Sequence, residues 1–177
     1  MKALTIWQPW ASLVACGAKQ YETRSWPTKY RGPIAIHAAI KDPCKLPLLD
    51  KAELERFTWE EINARRCPGW CLMPRGKIIA TAELVDVLLI ENISRLHPET
   101  PERIDIEFKS MNLPIQIYDP HFHSYIAVPQ REIALGDWTP GRYAWELANV
   151  KVLPEPIQVK GKQGIWNFEL KKEDTQK

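Results

Sequence analysis

Residues 76–91, GKIIATAELVDVLLIE, carry the longest strand signal in the chain, a run rich in β-branched and aliphatic residues that opens on a glycine. Upstream, residues 32–38 (GPIAIHA) read as a second strand, Lys19 to Trp26 as a third, and the alternation in Lys2 to Ile6 as a short first one. Between the first strand and Lys19, Pro9 stands where a first helical turn tolerates proline. Trp10, Leu13 and Val14 give a helical apolar face, and Gly17 ends it, so a helix is expected from about Pro9 to Cys16. Downstream, Ser124 to Val128, Tyr143 to Val152, Ile157 to Val159 and Ile165 to Leu170 are strand-like, joined by the turn-forming DWTPGR and KGKQG. Residues 46–66 change texture to charged and amphipathic and read as one or two exposed helices, with Asp50 and Thr58 as N-caps. Residues 92–118 read as loops with at most one short helix. Many short strands, one early helix and one helical insertion predict an α+β fold built on a small barrel.

A chain of 177 residues is expected to form a single domain with one core. The sequence offers neither a secretory pattern at MKALTIWQPW nor a membrane-length apolar run. Cys16, Cys44, Cys67 and Cys71 are too few and too unevenly spaced for a disulfide scaffold. A cytoplasmic location without membrane contact is therefore expected. The formal net charge of +2 is too small for bulk electrostatics to draw a polyanion, so any nucleic-acid function must rest on a local patch. Tryptophan is abundant, eight residues, several beside Pro or Gly, and indole suits both cores and stacking on flat rings.

Gly17, Lys19, Glu22 and Arg24 follow the pattern glycine, any residue, lysine, any two, glutamate, any residue, arginine. With LTIWQPWASLVACGAKQYETRSWPTKYRGPIAIHAA, the strand GKIIATAELVDV and GDWTPGRYAWELANVKVLPEPIQVKGKQGIWNF, this resembles the ASCH domain family, a branch of the PUA-like superfamily. The resemblance implies a PUA-like, partly closed small β-barrel with flanking helices. It would span residues 1–170, with a helical insertion around 40–74, a loop insertion around 95–122 and a frayed tail at 171–177. It also implies a cleft between the sheet and the first helix, and binding of RNA or other nucleic acid. A small bacterial member is an amidohydrolase acting on N4-acetylcytidine through a lysine, a threonine and a glutamate. Its lysine corresponds to Lys19, while its threonine position is Glu22 here.

Read from the residues themselves, Glu22 and Arg24 lie two apart and share one face of a strand, with Lys19 just before it. A carboxylate between two cations would orient them and leave Arg24 to meet phosphate bidentately. A catalytic Lys19 would need its pKa lowered towards neutrality, and Glu22 opposes that by stabilising the ammonium, which favours binding over catalysis. Trp7, Trp10, Trp26 and Tyr143 are candidate ring-stackers, Gln8 a reader of a base edge, and Arg142 a further ligand contact. Trp145 reads as core. Lys29 with Arg31 and Lys160 with Lys162 are closely spaced basic pairs beside turns. Cys67, Cys71, Cys44, His121 and His123 lack zinc-knuckle spacing, so no metal and no cofactor is expected. Three function classes stay open: a nucleic-acid or modified-base binder; a hydrolase, either an amidohydrolase on N4-acetylcytidine-like nucleosides (Lys19 and Glu22 catalytic) or a ribonuclease; and a protein-interaction adaptor docking through the helical insertion.

Overall fold

The computed structural model describes residues 1–41, 73–91, 116–119, 121 and 124–169. The chain divides into two compact units interleaved along the sequence. Unit 1 comprises Met1–Gln20, Tyr30–Val85 and Leu147–Lys177, and unit 2 comprises Tyr21–Lys29 and Asp86–Glu146. The elements are β1 (Lys2–Ile6), α1 (Trp10–Ala15), β2 (Tyr21–Arg24), β3 (Gly32–Ala38), β4 (Lys77–Ile90), β5 (Gln116–Asp119), β6 (Ser124–Ala127), α2 (Gln130–Ala134), β7 (Tyr143–Gln158) and β8 (Ile165–Asn167). This sheet-dominated architecture with short helices is of the α+β, PUA-like class that the resemblance implies. The expected helices of residues 46–66 and the C-terminal tail fall outside the described residues.

In unit 1 the strands run in the order β7, β4, β3, β1, β8. β1 lies parallel to β3, with Leu4 opposite Ile36, and antiparallel to β8. Parallel neighbours need a crossover, and α1 lies within the connection, packed on β1 and β3 through Ala11, Leu13 and Val14. The unit's core includes Ala3, Ala35, Ile78, Trp166 and Phe168. Unit 2 has a separate core of Leu88, Ile90, Ile117, Val128, Trp138 and Ala144. There β2 pairs with the first residues of β7, and β5 pairs with the end of β4 and with β6.

β4 shows why its sequence decides so much. From Ala82 onward the even positions are buried and Glu83 and Val85 are exposed, the period-two pattern of a half-buried strand. Asp86 breaks the apolar series on the inward side and is accommodated because its carboxylate accepts the Val87 amide at 2.7 Å.

Three expectations need correction. Tyr143 to Gln158 is one strand that runs through Pro154 and Pro156, where two pieces, Tyr143 to Val152 and Ile157 to Val159, were expected. The two prolines are two apart, so their missing N–H groups fall on the same strand edge, and β2 covers β7 only over Tyr143–Glu146. Residues 116–119, expected to be loop, form β5. Gln130–Ala134, for which no helix was expected, forms α2, too short to show a helical period.

Candidate functional site

In unit 1, Gly17 takes φ 74°, the left-handed conformation that ends a helix without side-chain strain. Its N–H reaches Val14 O at 3.0 Å, and the Ala18 and Lys19 N–H groups reach Leu13 O at 2.9 and 3.1 Å. This turn carries Lys19 inward, where it is 1% exposed and engaged within the fold. Gln8, expected to read a base edge, is fully buried. Its Nε2 donates to Pro74 O at 2.7 Å, and its Oε1 accepts the Ser12 N–H at 3.1 Å. Pro9 offers no side-chain cap to α1, so the Gln8 amide caps an orphan N–H of the first turn instead, and the base-edge reading gives way to this structural one. Trp10 is half-buried at the start of α1. Trp7 is 46% exposed, with Lys41 Nζ 4.2 Å from its ring centroid.

In unit 2, β2 and β7 pair antiparallel with Glu22 opposite Trp145 and Arg24 opposite Tyr143. Glu22 and Arg24 share a face, and Arg24 Nη2 lies 3.0 Å from Glu22 Oε1, the side chains being 23% and 12% exposed respectively. A partly exposed pair of this kind adds about 1 kcal/mol at most, so its main effect is to aim the guanidinium. Trp145 is fully buried as expected. It meets Trp26 edge to face, with centroids 4.6 Å apart, and its Nε1 donates to Trp26 O at 3.3 Å. Trp26 is thus half-buried as a lid on Trp145. Arg142 works as a clamp: its Nε lies 3.3 Å from Asp137 Oδ2, and its Nη2 donates to Thr23 O at 3.4 Å. Thr23 Oγ1 accepts the Asp137 N–H at 3.0 Å, closing the same corner. Burial pushes the Asp137 carboxyl up, but the Thr139 hydroxyl and amide and the Arg142 guanidinium outweigh it and hold the group below its ordinary value. Tyr21 is pushed up to about 12 by burial, then by Glu146 and Glu132, so its phenol stays neutral.

His37 lies on β3. It is 2% exposed in unit 1, with Nε2 3.1 Å from Val159 O and its ring edge-on to Trp166 at 5.8 Å. Gly161 packs directly on the ring. Burial lowers the His37 pKa from 6.5, partly offset by the bond to Val159 O. The native state therefore binds fewer protons than the unfolded chain below that value, and stability is lost as pH falls through it. Urea midpoints should drop between about pH 7 and about pH 5, and His37→Gln should flatten that drop. An equal drop in the variant would assign it to other groups.

A hollow of about 490 Å³ in unit 1, lined by Pro33, Thr81, Glu83, Asn149 and Lys151 among others, contains none of the predicted residues. Asn149 Nδ2 donates there to Glu83 Oε2 at 2.9 Å. Among the described residues no group of three His, Cys, Asp or Glu is placed to hold a metal ion, and no helix is long and apolar enough to cross a membrane. Cys44, Cys67, Cys71 and His123 lie outside those residues, and Cys16 is disulfide-bonded.

The model of the ASCH domain family matches residues 4–156. The chain belongs to the ASCH domain family. Within it, 105 residues are 30% identical to Activating signal cointegrator 1 of Homo sapiens and, equally, of Mus musculus. The match covers 59% of this chain and 17% of either relative, so this ASCH domain corresponds to a small part of those proteins. The span matched by the family model, residues 4–156, contains the signature residues Gly17, Lys19, Glu22 and Arg24.

Proposed function

We propose that this ASCH domain binds nucleic acid, single-stranded RNA or a modified base foremost, through Glu22 and Arg24 of the signature segment, both in unit 2. The observation that carries the reading is the Glu22–Arg24 pair, in which a carboxylate at 3.0 Å presents a partly exposed guanidinium from a strand face. Guanidinium is the side-chain group best matched to bidentate phosphate contact, and the ASCH family is associated with RNA binding. Tyr143, opposite Arg24, and Trp26, two residues beyond it, supply rings for stacking. Arg24→Ala should weaken binding of an oligouridylate and lower its log–log salt slope by about 0.7, the share of one phosphate contact on a single strand. Unchanged affinity and slope in a correctly folded variant would defeat the reading.

One observation favours a second reading. Lys19 is 1% exposed, and desolvation is what prepares a lysine for nucleophilic or general-base work. If this ASCH domain is an amidohydrolase, purified protein should release acetate from N4-acetylcytidine and lose nearly all turnover on Lys19→Ala. Absence of turnover in the parent protein would leave binding in front.

A further inference from the structure

At one end of the unit 1 sheet, the C-terminal ends of β1, β3 and β7 meet the start of β4. The Ala39 N–H reaches Ile6 O at 2.8 Å, the Gly76 N–H reaches Ala38 O at 2.8 Å, and the Val159 N–H reaches Gly76 O at 3.2 Å. Six side chains are gathered there: Trp7, Ile40, Lys41, Lys77, Lys160 and Lys162. Trp7 is 46% and Ile40 79% exposed; Lys41, Lys160 and Lys162 are exposed and Lys77 half-buried. The contributing segments 5–8, 37–41, 76–78 and 158–163 contain no Asp or Glu. In a chain with 24 basic and 22 acidic residues, these described segments are locally basic, while Asp42, next after Lys41, lies outside the described residues.

The lysines are presented on a fixed strap. Thr5 Oγ1 donates to Lys162 O at 2.7 Å, Gln158 Nε2 to Gly76 O at 2.9 Å, and His37 Nε2 lies 3.1 Å from Val159 O. Gly161 sits so close to the His37 ring that an added Cβ would lie 2.2 Å from Cε1. Lys160 and Lys162 therefore leave a backbone tied down on both sides of Gly161. Trp7 is likewise held, with the Lys41 ammonium over its ring.

From this we infer a second nucleic-acid contact surface, on which Lys41, Lys77, Lys160 and Lys162 meet the phosphates of a single strand and Trp7 stacks with a base. The inference rests on the nucleic-acid reading above and deepens it, with a surface built from unit 1 residues. Several fixed ammonium groups beside one exposed indole fit a chain of regularly spaced phosphates carrying flat rings. An anionic lipid surface fits less well, because an ammonium already holds the indole ring and would have to follow it out of water.

The test uses the full chain and a fluorescent oligouridylate of about 16 nucleotides, titrated at several salt concentrations. Lys160→Glu with Lys162→Glu should weaken binding at least tenfold at low salt and reduce the log–log slope by about 1.4, two single-strand phosphate contacts. Lys2→Glu with Lys151→Glu makes the same change in net charge at the other end of the unit 1 sheet and should cost much less affinity. Trp7→Ala should weaken binding at least fivefold with an unchanged slope. Lys160→Gln with Lys162→Gln repeats the test should the glutamate pair fail to fold. If both lysine pairs act alike, the effect is one of net charge and the inference falls. It also falls if Arg24→Ala weakens binding and the Lys160 and Lys162 variants do not, although the signature reading then survives. Binding of phosphatidylserine vesicles that depends on these lysines, with no binding of the oligouridylate, would overturn it in favour of a membrane surface.

Discussion

Replacing Trp145 by alanine is expected to lower the stability of unit 2 by about 3–5 kcal/mol, the usual cost of truncating a fully buried tryptophan. Among the described residues, Trp145 is the largest of the fully buried side chains. The cavity left behind opens beneath β2, since Trp145 stands opposite Glu22 in the ladder and carries the Trp26 ring 4.6 Å from its own. The bond from Trp145 Nε1 to Trp26 O is lost as well. Urea denaturation followed by circular dichroism measures the change, and Trp145→Phe, which keeps most of the volume, should retain a large part of the stability. A loss below about 1 kcal/mol in Trp145→Ala would mean that the neighbouring rings collapse into the space. Because β2 bears Glu22 and Arg24, ligand affinity should fall with Trp145→Ala even though the indole is not itself exposed.

The second large effect is expected at Gly161. Its φ lies outside the left-handed range, so alanine there introduces no backbone strain, and the whole consequence is steric. The new methyl would meet His37 Cε1 at 2.2 Å and Nδ1 at 2.5 Å. The ring is hemmed in by Trp166 and bonded to Val159 O, so the strap itself has to move. Overpacking of this kind costs about 1–3 kcal/mol. Gly161→Ala combined with His37→Ala should recover much of that loss, a coupling that a double-mutant cycle reads directly. Additive losses would show that the methyl collides with something other than the imidazole. Displacement of the strap also moves Lys160 and Lys162, so the oligouridylate affinity of Gly161→Ala should drop with the stability.

The sequence alone determined what depends on near neighbours in the chain. The β-branched run of β4, the alternation of β1, the strand over Gly32–Ala38 and the stop of α1 at Gly17 were all legible, because strand and helix periods and glycine's access to positive φ are local properties. The spacing of Glu22 and Arg24 predicted a shared face for the same reason, and their ion pair follows from it. The signature around Lys19 was equally visible as a pattern. Tertiary structure decided which of these groups reach solvent. Gln8 looked like a free amide between two indoles, yet the fold needs a cap for α1 and a tie to Pro74, 66 residues away. Lys41 comes to Trp7, and Gly161 to His37, only because β1, β3 and β7 end where β4 begins, a placement set by sheet pairing and carried by no local pattern. The continuity of β7 through two prolines was decided the same way, by a strand edge that, among the described residues, β2 pairs only over Tyr143–Glu146.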